Sequence, residues 1–379
     1  MKILRQGFDV KQKAPVKRIL VITSSEWAGP YIRDLIYGLS NVGIEIIYFS
    51  LSGPLIKALP SSEIVTDLSL EFSASDSIVK KVIKTYKAIR KSKPNLIMTH
   101  FFLAGLVGTI TGKLSRTPVI LTRHHIDENF ISGKRKLFWL DRMSTFLADH
   151  IVVCSQAAKK WMCEVEKCKE SKVTVINQGF FFDETEYSKS DIAKIKLELG
   201  FTAESFKICI CRYTAGKGHE LLLETFKEVS NQIPDVKLAL VGHGDPGWLK
   251  DIVHEAGLEN RVRIFEQRAD IFGCIAAADV VVHPSLVDSF SQLVIEAQFI
   301  GRPIVAFDIA AAKEQILEGK TGFVVKPRDT HAMSEKIVLL FRNPELRLNL
   351  GRNGVTHVKS KFTHQRMMYE TTLLLKDVP

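Results

Sequence analysis

Residues 279–301 read DVVVHPSLVDSFSQLVIEAQFIG. Val280–Val282 are consecutive β-branched residues, which suits a strand buried on both faces. Pro284 cannot donate to a sheet ladder, so the strand stops there. A polar loop follows, and then a stretch that is apolar almost all round, which predicts a buried helix over 290–300. Strand, loop and apolar helix together make one repeat of a parallel sheet covered on both sides.

The same grammar recurs along the chain. In the second half, KICICR (207–212), KLALVGH (237–243), RVRIFEQ (261–267), PIVAFDI (303–309) and GFVVKP (322–327) read as strands. Helices are expected at 219–232, 247–257, 270–277, 312–318 and 330–342. In the first half the strands are RILVITS (18–24), IEIIYFSL (44–51), NLIMTHF (95–101), PVILTRH (118–124), HIVVCS (150–155) and VTVINQG (173–179). Amphipathic stretches at 31–41 and 77–91 lie between them. A polar segment at 183–205 has no strand pattern and marks a boundary. The chain of 379 residues exceeds what one core serves, so two α/β domains are expected. Helices at 343–361 and 363–376 close the chain.

Composition narrows the class. Hydrophobic residues make up 46% and charged residues 25%, which is globular. No apolar run reaches the roughly 18–20 residues a membrane span needs. The first residues lack the apolar core of a secretory signal, so a cytoplasmic protein is expected. The six cysteines form no C-x-x-C pair, and buried free thiols are expected rather than disulfides or a zinc site. Residues 1–190 carry 28 Lys and Arg against 18 Asp and Glu, whereas 191–379 carry 24 of each. The whole excess of +10 lies in the first half, which points to an anionic partner there. It concentrates at 77–94 and in SGKRKLFWLDRM (132–143), where cations precede aromatic and aliphatic residues. Such a segment suits peripheral contact with an anionic membrane, or a solvated helix packed by its apolar side. No nucleic-acid module is recognisable.

Four stretches carry candidate chemistry. In CICRYTAGKGHE (209–220), Arg212 and Lys217 flank glycines before a helix, an arrangement that suits a diphosphate. VGHGDP (241–246) turns on Gly242. In 283–301, Asp288 in the loop and Glu296 in the apolar helix sit eight residues apart. A carboxylate in that setting needs a partner, such as a ligand hydroxyl. The amides of Ser289, Phe290, Ser291 and Gln292 open the helix. In GRPIVAFDIAAAKEQI (301–316), Glu314 opens a further helix. His100, His124 and His125 fall at strand ends in the first half. Of the adjacent pair, at most one side chain reaches a site from a strand.

The order R-x4-KG, VGxGxP, HPS…D-x-F-x5-E-A, G-x-P-I-V and E-x-I-x-x-G-x-T-G-F-V-V-x-P closely resembles retaining glycosyltransferases of the GT-B fold, family 4 type (glycosyl transferases group 1). The likeness is specific over about 200–360 and looser over 15–185. It implies two Rossmann-like, doubly wound domains facing across a cleft. Residues 1–184 would form the acceptor-side domain and 185–361 the donor domain. Residues 362–379 would be a helix packing back towards the first. It implies Arg212 and Lys217 on the donor diphosphate, Asp288 near the transferred sugar and Glu296 on ribose hydroxyls. Ser289, Phe290, Ser291 and Gln292 would offer backbone contacts, with Gly242 and Glu314 near the nucleotide. Gly29 would belong to a loop closing on the diphosphate, and His124 would lie near sugar and acceptor. Asp288 stands where the family has Glu, and 310–313 read AAAK where it has glycines. The implied reaction moves a hexosyl unit from a UDP- or GDP-sugar, without metal or other cofactor, to a glycan or lipid-linked acceptor. At this point a sugar-nucleotide epimerase or phosphorylase of the same fold, and a non-catalytic nucleotide-sugar-binding partner, remain alternatives.

Overall fold

The computed structural model describes residues 16–24, 30–53, 64–124, 134–181, 187–201, 206–210, 213–214, 216–266 and 268–377. The chain forms two compact units, 1–181 with 364–379, and 182–363. The expected divisions at 184/185 and 361/362 thus compare with 181/182 and 363/364.

In the first unit, β1 (Arg18–Thr23), β2 (Glu45–Ser50), β3 (Val65–Asp67), β4 (Leu96–His100), β5 (Val119–Arg123), β6 (His150–Val153) and β7 (Val173–Val175) form one sheet in the order β3-β2-β1-β4-β5-β6-β7. Every pairing is parallel. On β1, Ile19 and Val21 enter one core while Leu20 and Ile22 enter the other. That is why the strand reads as an unbroken apolar run, since alternate side chains face opposite buried layers. One layer holds the helix Pro30–Asn41 and the C-terminal helix His364–Asp377; the other holds Ile78–Ser92 and Phe102–Ser115.

The C-terminal helix completes the first core with Met367, Met368, Leu374 and Leu375. Gly38 makes the approach possible, because a Cβ there would lie 2.3 Å from the Met368 sulfur. His364 anchors the start of the helix. Its amide donates to the Phe180 carbonyl at 3.1 Å, its Nε2 bonds the Asp34 carbonyl at 2.9 Å, and its ring stacks on Phe181 at 3.8 Å. Burial holds the imidazole pKa below its ordinary value.

In the second unit, β8 (Phe206–Ile210), β9 (Lys237–Val241), β10 (Val262–Phe265), β11 (Val280–His283), β12 (Ile304–Phe307) and β13 (Gly322–Val325) pair in the order β10-β9-β8-β11-β12-β13, again all parallel. The helices expected at 219–232 and 330–342 run His219–Gln232 and Thr330–Arg342. That expected at 312–318 is the single turn Ala312–Gln315. The polar boundary segment contains a helix, Lys189–Glu198, begun by a capping box between Ser188 and Asp191. Cys154 and Cys274 are buried, whereas Cys163 and Cys168 are partly exposed. Among the described residues, no helix is long and apolar enough to cross a membrane.

Candidate active site

In the second unit the chain winds outward from β8 to β10, then returns to place β11 on the other side of β8. Loops leaving the carboxyl ends of β8 and β11 therefore diverge. Open α/β sheets bind ligands at such a switch point.

The two loops are joined by contacts that require glycine. Gly216 and Gly218 have φ of 88° and 74°. A Cβ on Gly218 would lie 1.9 Å from the Pro284 carbonyl oxygen. The Leu286 amide donates to the Gly216 carbonyl at 2.8 Å. Lys217, between the glycines, is thereby brought to the β11 loop. Its ammonium donates to the Val287 carbonyl at 3.0 Å and stands 3.7 Å from an Asp288 carboxylate oxygen. Two residues far apart in sequence, each expected at the donor site, thus meet.

His283, the last residue of β11, lies 3.5 Å by its Nε2 from the same Asp288 oxygen. It is 4% exposed, and neither ring nitrogen has a hydrogen-bond partner among the described residues. Sequence reading placed it only as a strand end, because its position beside Asp288 depends on how the loop folds back.

Ser289, Phe290 and Ser291 are buried and lead into the helix Gln292–Phe299. The Ser291 amide is already committed, donating to the Gln315 side-chain oxygen at 3.0 Å. Gln315 returns a bond to the Ser291 carbonyl at 2.8 Å, and its own carbonyl accepts from Gln298 at 2.9 Å. Gln315 thus latches the loop, a role invisible in sequence. Gln292 donates to Glu296 at 2.6 Å. Burial raises the Glu296 carboxyl to a pKa of about 7, against the smaller opposing effect of that bond.

Gly242 leaves β9 with its amide bonded to the Phe265 carbonyl at 3.2 Å, and the Tyr213 amide donates to the His243 carbonyl at 2.9 Å. These bonds bring the β9 turn to the β8 loop. Glu314 is partly exposed on its single helical turn, and its carbonyl accepts from Lys361 at 3.0 Å. Ala310 has φ of 38°, the left-handed region that favours glycine. Gly29, His125 and Arg212 lie outside the described residues.

In the first unit the corresponding switch point lies between β1 and β4. There His100 Nδ1 and His124 Nε2 are hydrogen-bonded at 3.0 Å. Phe101 stacks on His124 at 4.8 Å and Tyr31 packs edge-on at 5.1 Å. Burial lowers the His100 pKa to about 3, so its ring is neutral near pH 7. Phe101 has φ of 73° and ψ of 167°, a region nearly reserved for glycine, at a cost of about 1–3 kcal/mol. Next to His124, Arg123 is buried against Asp141, Thr145 and Glu166. Burial raises the Glu166 pKa, with Arg123 opposing.

Two family profiles divide the chain between them. The profile for glycosyl transferases group 1 matches residues 192–357, and that for glycosyltransferase family 4 matches residues 28–181. A relative from Staphylococcus aureus, the capsular polysaccharide biosynthesis glycosyltransferase CapM, is 26% identical over 360 residues, covering 91% of this chain and 94% of its own. The chain is a family 4 glycosyltransferase of GT-B fold. Among solved structures, Anabaena HepE in complex with UDP-glucose superposes with a TM-score of 0.83 at 21% identity, covering 95% of this chain and all of its own. WaaG, a glycosyltransferase involved in lipopolysaccharide biosynthesis, gives 0.75 at 11% identity and covers 94% of this chain and 99% of its own. In this glycosyltransferase, Lys217 and Asp288 meet where the loops after β8 and β11 join in the second unit.

Proposed function

We propose that this glycosyltransferase moves a hexosyl unit from a UDP- or GDP-sugar to a hydroxyl of a glycan or lipid-linked acceptor, with retention of anomeric configuration and without metal. The observation that carries the reading is the meeting of Lys217 and Asp288 where the loops after β8 and β11 join. HepE has been solved with UDP-glucose, which supports a nucleotide sugar as donor. CapM acts in capsular polysaccharide biosynthesis, which supports a glycan-type acceptor.

Lys217 would stabilise charge on the departing diphosphate, where a cation contributes most in a water-poor site. Asp288 would hold the sugar and Glu296 the ribose hydroxyls. The bond from the anomeric carbon to the phosphate oxygen breaks, and its electron pair leaves with the diphosphate. The acceptor oxygen bonds that carbon from the same face. Its proton passes to the departing phosphate oxygen, so no protein base is required. Arg212 and Gly29 are proposed to act on the diphosphate, and His124 near the sugar.

Turnover with a panel of UDP-, GDP- and ADP-sugars, with product configuration read by NMR, tests the proposal. Release of nucleoside diphosphate with an α-linked product from an α-linked donor is expected. Lys217→Ala should slow transfer by about 10²–10³. Epimerisation of the donor without acceptor, an inverted product, or near wild-type transfer by Lys217→Ala would each defeat it.

A further inference from the structure

We propose that His100 is a positioning residue for His124, donating from Nδ1 to His124 Nε2 and so holding His124 as the tautomer that carries its proton on Nδ1. His124 then serves the transfer as a hydrogen-bond donor and not as a base. Parallel pairing sets up the encounter. His100 ends β4 in register with Thr122 of β5, and His124 follows two residues on, the spacing that returns a side chain to the same sheet face. The two ring nitrogens are 3.0 Å apart and the ring centroids 5.3 Å apart. The bond therefore runs close to the line joining the rings, which is the in-plane direction of a ring N–H and of a ring lone pair.

The direction of that bond follows from the far side of the His100 ring. Burial keeps the ring neutral near pH 7, so it has one proton to place. His100 is wholly buried, and its Nε2 has no hydrogen-bond partner among the described residues. Were His124 the donor, the His100 proton would have to sit on Nε2, as a buried N–H with nothing to receive it. With His100 donating, Nε2 keeps only a bare lone pair. Orphaned buried N–H groups are rarer than under-used acceptors, so the second arrangement is favoured.

His124 is held on three sides. Phe101 stacks on its face, Tyr31 meets it edge-on, and His100 takes Nε2. The Phe101 contact persists although its backbone lies in a region nearly reserved for glycine, and strain of this kind collects at functional sites. A ring clamped in this way cannot turn over without breaking the His100 bond. The chemical consequence concerns the acceptor's proton. A neutral His124 has one ring lone pair, and His100 occupies it, so none is left to take that proton. What the ring carries instead is Nδ1–H, a donor suited to a sugar oxygen. This agrees with transfer of the proton to the departing phosphate, and it rests on the proposed place of His124 near the sugar.

Two-bond proton–nitrogen correlation spectra of the full chain, isotopically labelled at histidine nitrogen and free of substrates, read the tautomer; His100→Asn and His124→Ala assign the signals. His124 should show a protonated Nδ1 and a bare Nε2, and a protonated Nε2 would overturn the proposal. Asparagine places an amide N–H near the position of histidine Nδ1, whereas leucine places no donor there. With the UDP- or GDP-sugar turned over fastest, His100→Leu should lower kcat about tenfold or more while donor KM stays within about twofold. His100→Asn should return kcat to within about threefold of wild type. A purely structural His100 would lower the melting temperature of both variants without slowing the folded enzyme, and that result would sink the proposal, as would His100→Asn as slow as His100→Leu. Should His100→Leu not fold, the wild-type spectrum and the rate of His100→Asn decide. His124→Ala separates the two readings. Near wild-type transfer by that variant would remove His124 from the reaction; slow transfer by it, with unaltered kcat in His100→Leu, would remove His100 alone.

Discussion

Glu296→Gln separates stability from function at the candidate donor site. The carboxyl has a pKa of about 7 where it sits, against an ordinary value of 4.5. Below 4.5 it is protonated in both folded and unfolded chains. Between 4.5 and 7 the folded chain keeps the proton that the unfolded chain has lost, so folding weakens steadily as pH rises. Above 7 the full cost of ionising a buried acid has been incurred, about 3 kcal/mol at 1.36 kcal/mol per unit. Glutamine has nearly the same shape and still accepts from Gln292. The variant should therefore be more stable than wild type by up to about 3 kcal/mol at pH 8, with the gain vanishing near pH 4.5. Denaturant titrations of both proteins at the two pH values measure this. Donor affinity, read by calorimetry with the nucleoside diphosphate, should fall by about 10–100-fold as a charge-assisted bond is lost. A variant no more stable at pH 8, or one whose gain is independent of pH, would refute the burial argument. An unchanged affinity would remove Glu296 from the ligand site.

Three further perturbations follow from packing. Gly218→Ala must place a Cβ against the Pro284 carbonyl at a φ of 74°, so a loss of roughly 2–4 kcal/mol is expected in denaturant titration; a loss below 1 kcal/mol would contradict the geometry. Arg123→Met leaves Asp141 and Glu166 without their shared cation and should destabilise the first unit by about 3–5 kcal/mol. His283→Leu removes a buried ring whose nitrogens make no hydrogen bond among the described residues, so stability in denaturant titration should hold or rise, and a loss above about 1 kcal/mol would contradict that reading.

Much of the fold was legible because buried parallel strands leave a local record. Val280–Val282 and Ile19–Ile22 are apolar at every position, since both sheet faces are covered. β3 left no such trace, as Val65–Asp67 is a short edge strand with two exposed residues. In the candidate site, the motifs of Lys217 and Asp288 led to the expectation that both serve one donor, and the fold brings the two side chains together. The site was opaque where a side chain acts by folding back. Gln315 looks like any polar residue of a helical turn, yet it holds Ser291 from 24 positions away. Arg123, Asp141 and Glu166 show no periodicity, because their meeting depends on three separate elements. Ala310 adopts a glycine-like φ without being glycine, which no propensity rule reports.

The helix His364–Asp377 belongs to the first unit although the second intervenes in the chain. In the order of synthesis, the second unit is an insertion within the first. The first core cannot close until residues 367–375 leave the ribosome, because Met367, Met368, Leu374 and Leu375 fill it. The inserted unit, by contrast, has its whole sequence available earlier and can fold first. Any message truncated before residue 364 would yield a finished second unit joined to a first with an open apolar groove, a product suited to recognition by chaperones and proteases.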